Sequence, residues 1–139
     1  MNALQGKSAE YFVAYAISTY GFATAIVNQI GYDIIVNLKN NIVKVEVKST
    51  TRRIKNRNAY QFTTKQGKNP RPLNVDKNSD IIAFVIYKEK PIIFFKPTID
   101  VKGISHSIYD IHLNENDLSK KTFFKCLEKL KLFKNGIGH

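Results

Sequence analysis

The stretch Tyr32-Asp33-Ile34-Ile35-Val36-Asn37-Leu38-Lys39-Asn40-Asn41-Ile42-Val43-Lys44-Val45-Glu46-Val47-Lys48 reads as two β-branched apolar runs divided by a polar break. Such runs predict strands over residues 32–38 and 42–50, joined by a turn at Lys39-Asn40-Asn41. A hairpin centred there sets Asp33 opposite Glu46, with Cβ atoms about 4.5–5.5 Å apart. Two carboxylates that close repel unless a cation lies between them. Hard oxygen ligands of this kind, completed by water, suit magnesium. Alternation along the second run sends Lys44, Glu46 and Lys48 to one face and Val43, Val45 and Val47 to the other. Lys48 then lies about 6.6 Å along the strand from Glu46. From there an ammonium can orient or deprotonate an attacking water, or stabilise charge on a phosphate.

Outside this stretch acids are scarce. Glu10, Asp33 and Glu46 are the only carboxylates in the first 75 residues. Residues 3–20 read as a helix, because Ala9, Phe12, Val13, Ala16, Ile17 and Tyr20 form one stripe and Gly21 suits a C-terminal cap. Glu10 borders that stripe, so it can reach the same cation directly or through water. The plainer alternative is an exposed Glu–Lys strand pair and a solvated helix charge.

The net charge is +11. Residues 44–77 hold ten Lys or Arg against Glu46 and Asp76, a net +8 in one segment. That excess points to a phosphate-rich polymer held by counterion release, with a merely solvated face as the alternative. Arg52, Arg53, Lys55, Arg57, Lys65, Lys68 and Arg71 are the candidate phosphate contacts. With 139 residues, 43% of them hydrophobic, the chain is long enough for one packed domain over residues 1–139. Its apolar runs are too short to span a bilayer. Residues 1–20 lack the segments of a signal peptide, and a cytoplasmic, soluble protein is expected. Cys126 is the single cysteine, which excludes an internal disulfide and an all-cysteine zinc site. It is expected to fill a helix face. His106, His112 and His139 show no metal spacing and are expected at the surface.

The remaining segments predict strands over 22–28 and 59–64, a hairpin of 80–87 with 91–96, and a further short strand within 105–113. Residues 51–58 read as a loop, 65–79 as a long basic loop, and 116–133 as a final helix. Asp76 and Asp80 are expected to serve turns and caps. The layer rule then implies an α/β fold, a mixed sheet of about five strands with a helix on each side.

Three segments together, Gly6-Lys7-Ser8-Ala9-Glu10, Gly31-Tyr32-Asp33 and Val45-Glu46-Val47-Lys48, resemble the PD-(D/E)XK nuclease superfamily. The likeness covers residues 5–50 and is greatest to the branch of archaeal-type Holliday-junction resolvases. It implies a restriction-endonuclease-like fold and a Mg²⁺-dependent endonuclease hydrolysing DNA, with Mn²⁺ able to substitute. By that resemblance Asp33 and Glu46 bind metal, Lys48 assists the attacking water and Glu10 is the auxiliary acid. The segment Tyr60-Gln61-Phe62 stands where those resolvases place a helix. With residues 80–84 and 92–95, it is more similar to the branch of intron-encoded homing endonucleases. Gln61 is thereby a further candidate for holding water or phosphate, with a plain polar strand residue as the alternative. A junction resolvase is the first expectation. A sequence-specific homing or restriction-type endonuclease is the second, and a non-catalytic nucleic-acid binder on the same fold the third. One active site per domain implies a homodimer or homotetramer on branched or duplex DNA.

Overall fold

The computed structural model describes residues 3–29, 32–64 and 78–138. The turn at Lys39-Asn40-Asn41 forms as expected, closed by the Leu38 N–H donating to the Asn41 carbonyl at 2.8 Å. It joins β2 (Tyr32–Asn37) to β3 (Ile42–Thr50), and the register sets Ile34 against Val45 and Val36 against Val43. Before them come α1 (Ala3–Thr19) and β1 (Ala23–Gln29), which pairs antiparallel with β2. Gly21, at φ +103°, ends α1 in a conformation that glycine adopts without strain.

The segment between β3 and its parallel neighbour departs most from expectation. Residues 51–58 hold a two-residue strand, β4 (Arg53–Ile54), and a 3₁₀ turn, Lys55–Arg57. Asn58, at φ +50°, leads the chain into β5 (Ala59–Thr63). The basic loop expected over 65–79 lies almost wholly outside the described residues. β6 (Ile81–Ile86) runs parallel to β3, and β7 (Ile92–Pro97) returns antiparallel to it. After β7 come β8 (Ser105–Tyr109), a 3₁₀ turn over Asp110–Leu113, and α2 (Leu118–Gly138).

Five strands make the main mixed sheet, in the order β1-β2-β3-β6-β7, and β4-β5-β8 make a second, smaller one. The α/β fold class and the five-strand sheet are those expected. Placement of the helices differs, because both pack on one face. Ala9, Val13 and Ile17 of α1 and Phe123, Cys126 and Leu130 of α2 share a core with Val43, Val45, Ile81, Ala83 and Val85. The opposite face, built on Ile82, Phe84 and Ile86, is covered by Tyr60, Phe62 and Ile108 of the small sheet. Every residue of β6 is buried, as a strand covered on both sides must be. At the β7 edge, the Phe95 N–H donates to Thr122 Oγ1 at 3.0 Å, so α2 satisfies an edge donor that would otherwise seek another strand.

His106 is a correction. The surface position expected for it is instead a half-buried one, stacked on Phe84 at 5.0 Å with Nε2 3.2 Å from Lys96 Nζ. Burial, then the Lys96 charge, push its pKa down to about 4 from 6.5. The neutral ring is therefore the form the fold favours. Its contribution is complete above pH 6.5 and is lost as pH falls towards 4. After discounting for the solvent-exposed part of the ring, we expect about 1 kcal/mol from this group. Urea denaturation at pH 7.5 and pH 4.5 of the protein and His106→Gln checks it: the gap between the two should narrow at the lower pH.

Candidate active site

The site begins where β2 and β3 lie side by side. Their paired register ends at Ile34↔Val45, and one residue further along each strand stand Asp33 and Glu46, which alternation turns to one face of the sheet. Asp33 Oδ2 reaches across the strand pair and accepts the Val47 N–H at 2.8 Å. Glu46, 8% exposed, hydrogen-bonds Asp33 through its carboxyl group. Burial, and then the Asp33 hydrogen bond and charge, raise the Glu46 pKa to about 9, while Lys48 pulls the other way. These are the paired acids read from the hairpin, and they do converge.

Glu10 comes to the same place from α1. It is partly buried, and its pKa is raised by burial and then by the Asp33 charge; its charge in turn acts on Glu46. Lys7, one turn earlier, stands 3.6 Å from Glu10 Oε1 and offsets part of this. Glu10 Oε1 is nonetheless a buried oxygen with no hydrogen-bond donor. The Lys7 ammonium is the cation that faces this oxygen.

Among the described residues, no group of three or more His, Cys, Asp or Glu forms a ready-made metal shell. The donor set that is present consists of hard carboxylate oxygens. Asp33 and Glu46 lie side by side, and Glu10 lies within electrostatic range of both. Such a set fits a magnesium-sized ion that retains several waters better than a closed all-protein cage.

Lys48 follows Glu46 on the same face and opens into a cleft of about 490 Å³ bounded by Thr50, Arg52, Gln61, Thr63 and Ser105. Gln61 is thus brought beside Lys48, because β5 lies against the end of β3, where the Gln61 N–H donates to the Arg52 carbonyl. A larger cavity of about 550 Å³, bounded by Tyr20, Glu115 and Asp117, contains none of the four acid and lysine candidates.

Arg52, Lys55 and Arg57 are exposed, and Arg52 lines the cleft. Arg53 is not a free phosphate contact: it is paired with Asp110 and donates to Asn58 Oδ1 at 3.3 Å, bracing the turn. Lys65, Lys68 and Arg71 lie outside the described residues. Sequence reasoning missed Ser105 and Thr63 as cleft residues, since their pairing joins strands distant in the chain. Asp80 serves structure as expected, with Oδ2 accepting the Lys44 N–H at 2.9 Å.

No protein-family model matches the chain, and no curated protein sequence matches it. Solved structures do. A bacterial homing endonuclease, I-Ssp6803I, superposes with a TM-score of 0.61 at 14% identity, over 84% of this chain and 79% of that one. Hjc, a Holliday junction resolvase from the archaeal hyperthermophile Archaeoglobus fulgidus, superposes with a TM-score of 0.49 at 13% identity, over 77% of this chain and 85% of that one. The first of these likenesses shows that the chain shares the fold of that homing endonuclease. No helix among the described residues is long and apolar enough to cross a membrane.

Proposed function

We propose that the chain is a divalent-cation-dependent endonuclease that hydrolyses phosphodiester bonds in DNA. One observation carries the reading: Asp33 and Glu46 are in contact on one sheet face, with Glu10 and Lys48 acting electrostatically on the pair. Asp33 and Glu46 would hold magnesium or manganese, with Glu10 behind them. When bound, the ion supplies Lewis-acid neutralisation of the charge that develops on the phosphate. The protein's own groups do the rest. Lys48 presents a positive charge beside the reacting phosphate and orients the water that attacks it. Gln61 holds that water or a phosphate oxygen from the opposite wall of the cleft. Arg52, Lys55 and Arg57 neutralise flanking phosphates without reading bases. The attack forms a new P–O bond to the water oxygen and breaks the ester P–O bond.

Two substrate classes follow from the sequence, a four-way junction and a long duplex site. The strand β5, standing after the Glu-x-Lys motif in place of a helix, supports the duplex reading, as does the homing endonuclease that shares the fold. Cutting both strands calls for a second copy of the chain, since each contributes one such site. The test is incubation with Mg²⁺ of a synthetic four-way junction, its separate duplex arms, single strands and a randomised duplex pool, with chelator controls. Cation-dependent nicking of any of them is expected, and of the duplex pool at selected positions. Retention of DNA without a cut in every substrate, with Mg²⁺ and with Mn²⁺, overturns the enzyme in favour of a binder.

A further inference from the structure

Two apolar side chains beside the basic turn lack a place in this account. Tyr109 is 43% exposed and Ile111 is 77% exposed. A single exposed isoleucine is ordinary, but the position of these two is not. Tyr109 lies directly across the sheet from Ala59, next to the Lys55–Arg57 turn. By strand alternation it shares a face with Gln61, Thr63, Ser105 and Ser107, and the first three of these line the cleft. Tyr60, Phe62 and Ile108 of the same strands point the other way, into the core, while Ala59 is buried on the Tyr109 side.

Between the two sits Asp110, which is held on two sides. Its carboxylate pairs with Arg53 and its N–H donates to the Asn58 carbonyl at 2.8 Å. The backbone presenting Tyr109 and Ile111 is therefore fastened to the turn that carries Lys55 and Arg57. The row of Tyr109 is about 7 Å, two strand residues, from the row of Gln61. Apolar side chains set among cations are the arrangement with which proteins enter a DNA groove. The cations hold the phosphates on each side while the apolar groups press against, or partly separate, the bases.

We propose that Tyr109 and Ile111 form an apolar wedge that enters the groove of duplex DNA beside the cleavage cleft and determines which base steps are accepted there. The inference rests on the DNA-nuclease reading above. Flexible pyrimidine–purine steps, which unstack most readily, are the preferred ones.

The test uses the full chain carrying Asp33→Asn, so that DNA is held uncut, and a synthetic duplex with 2-aminopurine at TA and CA steps beside one made of A-tracts. The fluorescence of the probe should rise on binding at the flexible steps and stay low in the A-tracts. Tyr109→Ala with Ile111→Ala should remove the rise and weaken binding about tenfold, with the salt dependence unchanged. Ile111→Ala alone, at a site that packs little, should give part of the same loss. Lys55→Ala with Arg57→Ala should instead reduce the salt slope by about 2. Unchanged fluorescence and affinity in both wedge variants overturn the wedge while leaving the nuclease reading intact. Failure of the parent chain to bind or nick any DNA overturns both.

Discussion

Asp33→Asn stops DNA nicking, lowering the rate by about 10²–10³-fold or more, while affinity for the same DNA survives within a few-fold. The size follows from removing one of the two carboxylates proposed to hold the cation, whose charge would neutralise the reacting phosphate. Asn keeps the shape of Asp33 and still offers an oxygen to the Val47 N–H, so the bond at 2.8 Å that aligns the strand pair persists. The variant should therefore fold and melt much as the parent does. On the proposed function the phosphates are held by the exposed cations Arg52, Lys55 and Arg57, which the substitution does not touch. Single-turnover cleavage and gel retardation on one substrate measure the two effects together. Nicking that persists at the parent's rate removes Asp33 from the chemistry and sinks the site.

Glu46→Gln separates stability from function still more sharply. Glu46 is 8% exposed, and its pKa stands near 9 because burial and the Asp33 carboxylate oppose its charge. A glutamine amide offers Asp33 the same donor without any charge to bury. In chelator the variant should be as stable as the parent, or more so. Added Mg²⁺ or Mn²⁺ should raise the Tm of the parent by about 5–10 °C at a hundredfold excess over its Kd. The same addition should leave the variant unmoved, and nicking should fall by the factor expected for Asp33→Asn. A cation-induced shift of equal size in both proteins would place the ion elsewhere.

The site was legible because its central part is local. Asp33 and Glu46 are joined by one short turn, and the pleat then dictates that both side chains share a face with Lys48. Glu10 was legible at one remove, as the acid bordering the apolar stripe of a helix. Arg53 was misjudged, since an exposed arginine in a basic run gives no sign that Asp110, far along the chain, will hold it. His106 was misjudged for a similar reason: nothing near it in the chain announces Phe84 and Lys96 as neighbours.

The order of residues alone settles the hairpin, its register and the convergence of two acids and a lysine, because short-range pairing leaves the chain little choice. Folding in three dimensions decides the rest. The continuous apolar run of β6 demands cover on both faces but does not say by what, and a helix stripe does not say which face it will seek. Only long-range packing puts both helices on one side and the small sheet on the other. That choice brings Gln61 to Lys48 and sets Tyr109 beside Ala59, next to the basic turn.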